Sequence, residues 1–287
     1  MTSVGPRAKS ERRTTKPRSW DQRGTGKGQH PSDTLPSVLT NRRILVTGGS
    51  SGIGRGLCIA YAEAGARVWA VARRGDALAE TAAAAPAGAV VPIVADLVTE
   101  AGRREVATTI DHAGGELDVA VHAAALLGPV GVPLVDYPEK EWHEVFGVNV
   151  TAAHLLHQRI AGFLDAGRSP VVIGMSSTIG RAGRAGWGMY AVSKYALEGW
   201  LAVLADEWDA GRVYSVNPGG TRTPMRAEAR PDEDPATVPS PADIAPIFLR
   251  LAHQDAPEPS GAILEARDWI HRDPYEGLHA AGRRPDA

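Results

Sequence analysis

Cysteine is nearly missing from this 287-residue chain: Cys58 stands alone, which excludes an internal disulfide and any cysteine-rich metal centre. Set between Leu57 and Ile59 in a helical pattern, it reads as a buried thiol in preference to a nucleophile. No charge-free apolar run reaches membrane-spanning length, and none follows the basic N-terminus, so neither a transmembrane helix nor a secretory signal is expected. Aromatic residues are sparse at 6% while hydrophobic residues make up 43%. Such a core is filled by aliphatic and small side chains in close backbone packing, which suits an α/β protein.

A strong overall charge is absent as well, but the net −2 conceals an uneven distribution. Residues 1–38 hold eight Lys and Arg against Glu11, Asp21 and Asp33, a net +5, so the remainder carries −7. An acidic body repels phosphates, and nucleic acid is not an expected partner; any such contact would fall to the basic arm. The arm, 1–38, reads as a solvated, disordered extension or an overlong gene start. The body, 39–270, has the length of one domain, followed by a tail, 271–287. The cytoplasm is the expected compartment.

Seven short apolar runs recur between stretches of helical length. The strand candidates are Arg43–Thr47, Arg67–Ala72, Ala89–Val94, Leu117–Ala123, Val171–Met175, Arg212–Val216 and Ala262–Ala266. The pattern predicts helices over Arg55–Ala64, over a stretch containing Trp142–Phe163 and over Tyr190–Trp208. Strands alternating with helices indicate parallel βαβ units, because each face of such a sheet needs helical cover. The expected fold is α/β, a doubly wound parallel sheet in a single Rossmann-type domain. Between Gly220 and Ala242, five prolines interrupt the rhythm. We expect residues 221–240 to form a partly helical substrate lid, with a mobile surface loop as the alternative.

The run Thr47-Gly48-Gly49-Ser50-Ser51-Gly52-Ile53-Gly54 closes the first strand and opens the first helix. Glycines there allow a tight turn and close approach of a pyrophosphate to free N–H groups at the helix start. Where an acidic residue would grip the adenosine ribose, the second strand ends in Ala72-Arg73-Arg74. Guanidinium groups attract a 2′-phosphate, so NADP is favoured over NAD, against the alternative that both arginines are merely solvated. Asp96 would accept from the adenine amino group while Leu97 offers its N–H; capping a helix is the competing role for Asp96. The backbone at Ala124 should pass near adenosine, and His122 is expected to be a structural hydrogen-bonding residue. Tyr190 and Lys194, four apart at a helix opening, share a face, which would let the ammonium lower the phenol pKa and make Tyr190 a usable acid and base.

Taken together, these marks resemble the short-chain dehydrogenase/reductase family from about Asn41 to Asp268. The resemblance rests on Thr47 through Gly54, Asp96, Asn149 in Val-Asn-Val, Ser176-Ser177, Tyr190 with Lys194, and Asn217-Pro218-Gly219. Nearby residues, Gly186 to Tyr190 and Asn217 to Thr223, are similar to an uncharacterised bacterial reductase branch. The resemblance implies hydride transfer to a ketone or aldehyde, or from the matching alcohol, with Tyr190 exchanging the proton. It implies that Ser177 bonds the reacting oxygen and that Asn149 holds a water linking Lys194 to solvent. Lys194 would also contact the nicotinamide ribose, and Thr223 the carboxamide or diphosphate. Pro218, Gly219 and Thr221 would bend the chain beside the nicotinamide. A homodimer or homotetramer is implied, with the two long helices as faces, and no metal is required. One departure stands out: His122-Ala123-Ala124-Ala125 replaces the family's usual Asn-Asn-Ala-Gly, which puts cofactor affinity in question.

Trp187, Leu126, Leu127 and Met225 are candidates for an apolar substrate pocket, and Arg222, Arg226 and Arg230 for contact with an anionic group. Two rival functions are a cofactor-sensing regulatory protein and a nucleotide-sugar epimerase or dehydratase. The set of Asn149, Ser177, Tyr190 and Lys194 disfavours the first, and the short region after Gly220 the second.

Overall fold

Alternation along each strand divides the core in two. In β1 (Arg43–Thr47), Ile44 and Val46 face one side and Leu45 the other, and all three are fully buried. Strands buried on both faces read as continuous apolar runs, which is why the sequence shows no polar face. The remaining strands are β2 (Arg67–Ala72), β3 (Val90–Val94), β4 (Val119–His122), β5 (Val171–Met175), β6 (Arg212–Asn217) and β7 (Ile263–Glu265). All pair in parallel, in the order β3-β2-β1-β4-β5-β6-β7. The order reverses between β1 and β4, so a crevice opens there at the C-terminal strand ends. The computed structural model describes residues 38–278; the arm up to residue 37 and residues 279–287 lie outside it.

Helices α1 (Gly52–Glu63), α2 (Gly75–Ala83) and α8 (Ala245–Ala252) contribute to one core layer through Leu57, Tyr61, Leu78, Phe248 and Leu251. Helices α3 (Glu100–His112), α5 (Ala152–Asp165) and α6 (Gly188–Glu207) cover the opposite face through Ile110, Leu156, Ile160, Leu197 and Leu201. Helix α7 (Pro224–Ala229) borders the crevice, and α4 (Glu139–Phe146) packs against α6. Cys58 is buried among the first layer, and its thiol is pushed up to about 12 by desolvation, which makes it inert.

Two local differences from the sequence reading matter. Helix α1 begins at Gly52, three residues before the expected Arg55, so the glycine turn is the helix's own first turn. The stretch Trp142–Phe163 is not one helix: a π turn, Gly147–Thr151, separates α4 from α5 and carries Asn149. Apolar periodicity does not reveal a single wider turn, because the face drifts by only part of a turn. The start of the tail is held to α8, since the Arg250 guanidinium donates to the carbonyls of Pro274 (3.4 Å) and Glu276 (2.9 Å). The 221–240 segment is partly helical as expected, with α7 followed by a 3₁₀ turn at Pro235–Thr237.

Candidate active site

The β1–α1 turn is built by close approach. Gly48 has φ of +74°, and a Cβ there would sit 3.0 Å from the Ala124 backbone; at Gly54 it would lie 2.3 Å from the Gly48 carbonyl oxygen. Side chains at either position would break the turn. Ser51, the N-cap of α1, makes no capping bond with its side chain, and no acidic residue occupies the first turn. The helix therefore presents uncapped N–H groups and positive dipole to the crevice. Thr47 belongs elsewhere: its Oγ1 accepts from the Ala123 and Ala124 N–H groups (both 3.0 Å) and donates to the Val121 carbonyl (3.3 Å). It ties β1 to the end of β4 and lines neither of the cavities described next.

Two adjoining cavities occupy the crevice, of about 400 and 300 Å³, sharing Gly48, Ser51, Ala124 and Ala125. The smaller is bounded by Ser50, Arg73, Arg74, Asp96 and Leu97. Arg73 and Arg74 are exposed and, among the described residues, make no ion pair. Asp96 closes an Asx turn by accepting from the Val98 N–H (3.1 Å), while Thr99 caps α3; the capping role considered for Asp96 is filled by its neighbour. Leu126 lines this side and not the larger cavity.

The larger cavity holds Gly52, Ile53 and Gly54 on one wall, and Ser177, Tyr190, Lys194, Pro218, Gly219, Thr221 and Thr223 on others. Leu127, Trp187 and Met225 supply its apolar surface. The bend at Gly219 (φ +66°) is held by Asn217, whose Oδ1 accepts from the Gly219 N–H at 3.0 Å. Thr223 caps α7 by accepting from the Arg226 N–H (3.1 Å). Of the lid arginines, Arg226 is held by Glu233 through two bonds of 2.6 Å, and Arg230 stacks over Trp187 at 5.7 Å.

Tyr190 and Lys194 share one face of α6, with the ammonium 5.5 Å from the ring centroid. The Ser177 hydroxyl lies on the same side as the Tyr190 phenol and acts on it as a hydrogen-bonding neighbour. Contrary to the sequence expectation, the phenol is not made more acidic: burial pushes it up to about 12, outweighing the Ser177 bond that pulls it down. Lys194 is itself 2% exposed, and burial lowers its ammonium to about 8, with Glu198 acting in the opposite direction. Its Nζ donates to the Met175 carbonyl at 2.7 Å. Desolvation disfavours the charged form of each group, so the pair enters the neutral range as a protonated phenol beside a labile ammonium.

Asn149 is buried and lines neither cavity. Its Oδ1 accepts from the Leu126 N–H (2.7 Å), and its Nδ2 donates to the Leu126 carbonyl (3.0 Å) and to Ser193 Oγ (2.9 Å). Ser193 Oγ donates in turn to the Tyr190 carbonyl (2.8 Å). Asn149 thereby fastens the loop after β4 to the helix of Tyr190. His122 corrects another expectation: neither ring nitrogen has a hydrogen-bond partner. Its ring meets Trp200 edge-on at 5.5 Å and His157 at 6.2 Å, and burial lowers its pKa to about 3. The sequence reading passed over Glu198 and Arg181, which bond each other behind Lys194 at 2.8 Å. The signal was present, since Tyr190, Lys194 and Glu198 repeat at intervals of four along one helix face.

The family described as short chain dehydrogenase matches residues 42–234. The chain belongs to the short-chain dehydrogenase family. It is 38% identical over 238 residues to the uncharacterized oxidoreductase YciK of Escherichia coli K12, across 80% of this chain and 93% of that protein. A Shigella flexneri short chain dehydrogenase crystallised with NADP superposes with a TM-score of 0.76 at 37% identity, covering 81% of this chain and all of that one. A short chain dehydrogenase of Escherichia coli CFT073 complexed with NADPH gives 0.75 at 38% identity, again over 81% of this chain and 100% of the other. The expected fold and family are thus found, and the chain is an oxidoreductase of that family. Among the described residues, no helix is long and apolar enough to cross a membrane, and no cluster of His, Cys, Asp and Glu is placed to hold a metal.

Proposed function

We propose that this short-chain dehydrogenase reduces a ketone or aldehyde with NADPH, and runs the reverse oxidation with NADP. The observation carrying this reading is that Tyr190, Ser177 and Lys194 line the same cavity as the glycine turn of α1. NADP(H) bound along the crevice supplies or accepts the hydride. Gly48, Ser50 to Gly54 and Ala124 would hold its diphosphate and neighbouring sugar, Asp96 and Leu97 the adenine, and Arg73 and Arg74 a 2′-phosphate. Pro218, Gly219, Thr221, Thr223 and Lys194 would hold the nicotinamide end. The preference for NADP over NAD draws on the two unpaired guanidinium groups, and is supported by the NADP and NADPH complexes of the similar proteins.

In reduction, Tyr190 gives its proton to the carbonyl oxygen as negative charge develops there. A phenol held near 12 is protonated throughout the neutral range, yet an alkoxide is a stronger base and takes the proton. Ser177 gives the same oxygen a second hydrogen bond, and Lys194 stabilises the phenolate left behind. Asn149 acts by orientation: its bonds to Leu126 and Ser193 fix α6 against the loop after β4, and the remaining lone pair on Oδ1 can order a water for proton resupply. Trp187, Met225 and Leu127 favour an apolar substrate of moderate size, and residues 221–240 would close over it. Exposed Trp142, Tyr195 and Val203 on α4 and α6 suit a homodimer or homotetramer face.

The test is a screen of ketones, aldehydes and alcohols with the purified chain and each nicotinamide cofactor, read at the dihydronicotinamide absorbance. Carbonyl-dependent loss of NADPH, faster than that of NADH, is the expected result. Tight NADPH binding without turnover of any carbonyl or alcohol would speak for a sensing role instead.

A further inference from the structure

Behind the reaction centre runs a chain of polar side chains that the proposed chemistry leaves unused. It starts at Glu198, one helical turn beyond Lys194, whose Oε1 accepts from Ser176 Oγ and from Arg181 Nε (2.8 Å). Arg181 continues to Glu265 Oε1 (2.5 Å) and Ser215 Oγ (3.2 Å). Glu265 Oε2 accepts from Asn217 Nδ2 (2.6 Å), which also donates to Thr178 Oγ1 (2.8 Å). The chain joins the end of β5, helix α6, the end of β6 and β7. Its inner members are nearly shut from solvent, with Ser176 at 1% and the Glu198 side chain at 13% exposure.

Hydrogen bonds alone would make this a clamp, and a neutral amide would serve as well. The carboxylate matters because of Lys194, whose buried ammonium finds, among the described residues, one neutral acceptor and no carboxylate in contact. An ammonium so placed tends to lose its proton unless an opposite charge lies near. Charged groups on the packed elements are Arg181 after β5, Arg212 on β6, and Glu139, Lys140, Glu141, His143 and Glu144 on α4. On α6 itself, Glu198 lies one turn beyond Lys194 on the same face, and its charge works against the burial that lowers the ammonium.

We propose that Glu198 is a positioning residue for hydride transfer. It keeps the buried Lys194 ammonium charged, and through Ser176 and Arg181 it fixes the segment that presents Ser177 to Tyr190. The inference rests on the reading of Lys194 as the support of Tyr190, and the experiment separates the two.

Lys9, Lys16, Lys27, Lys140 and Lys194 are the only lysines in the sequence, so the full chain labelled with ¹³Cε-lysine allows direct NMR titration of Lys194. Loss of its signal in Lys194→Arg gives the assignment. In the wild type Lys194 should titrate near 8. Glu198→Gln is expected to move that titration down by about one pH unit, because an attractive charge is lost. Arg181→Gln is expected to move it up, because Glu198 loses the cation that offsets its field. The alkaline limb of kcat should follow in both variants, with kcat at pH 6 lowered several-fold and NADPH affinity at pH 6 within about twofold of wild type. A clamp without an electrostatic part would slow turnover in both variants and shift neither titration. An unmoved Lys194 titration in Glu198→Gln therefore overturns the proposal, and should that variant not fold, an unmoved titration in Arg181→Gln does so. A shifted titration with an unmoved kcat limb upholds the electrostatic assignment and overturns instead the role given to Lys194.

Discussion

The surroundings of Asp118 and those of Lys194 follow opposite rules. At the N-terminal end of the sheet, Asp118 is fully buried and accepts from the Arg43 N–H (2.8 Å), from the Arg43 guanidinium (3.1 Å at Nε and at Nη2) and from the Arg168 N–H (2.7 Å), with Arg42 at 3.9 Å. Arg42 in turn donates to the carbonyls of Ala252, Arg168 and Ser169. At the C-terminal end, among the described residues, Lys194 has one neutral acceptor, His122 has none, and Arg73 and Arg74 line the crevice without an ion pair. Saturated polar groups hold a fold together, whereas deficits such as those around Lys194 mark where chemistry or a ligand completes the balance.

The sharpest way to break this contrast is Tyr190→Phe. Turnover should fall by about 10³-fold or more while NADPH affinity, measured by fluorescence titration, is retained. Next is Asp118→Asn, which leaves the Arg43 and Arg42 cations facing a weaker partner. It should cost about 3 kcal/mol and lower Tm by roughly 6–12 °C, with kcat of the folded enzyme unchanged.

A third prediction concerns pH. Burial lowers His122 to about 3 and His157 to about 4, against an unfolded value near 6.5. Below that value the unfolded chain takes up protons that the native one refuses. The stabilisation is thus complete above about pH 6.5 and is lost progressively as pH falls toward 4, by about 2 kcal/mol per histidine at pH 5. Thermal unfolding between pH 7 and 5 should show this slope, and His122→Phe should flatten it by about one proton. Smaller still, Arg73→Ala should weaken NADPH binding about tenfold relative to NADH. The least effect is expected from Ala125→Gly, a gain of about threefold in NADPH affinity; no gain would mean that the methyl group lining both cavities is accommodated.

Strand composition made the parallel sheet legible, because Ile44-Leu45-Val46 and Val171-Val172-Ile173 are apolar on both faces. Local motifs were legible for the same reason that they work: the glycine turn and the Tyr190–Lys194 pair are set by spacing along one segment. What the sequence concealed depends on contacts between distant segments. Thr47 is taken up by the Ala123 and Ala124 amides, and His122 lies against Trp200 instead of bonding. The sign of the Tyr190 shift was hidden likewise, since burial comes from the whole assembly and outweighs a neighbour four residues away. Glu198 was in plain view by spacing, but its partners Ser176 and Arg181 come from another element.

The π turn at Gly147–Thr151 makes the gene unusually sensitive to length at this point. Removal of one codon beside Asn149 would let α4 run smoothly into α5 as a better-formed helix with the faces of both nearly kept, because four α residues turn through about the same angle as five π residues, yet it would abolish the widened turn that pushes Asn149 outward. The Asn149 amide would then miss Leu126 and Ser193. A shorter and locally more regular chain would be the poorer enzyme, and single-residue deletions scanned along α4 and α5 should find a loss of turnover here.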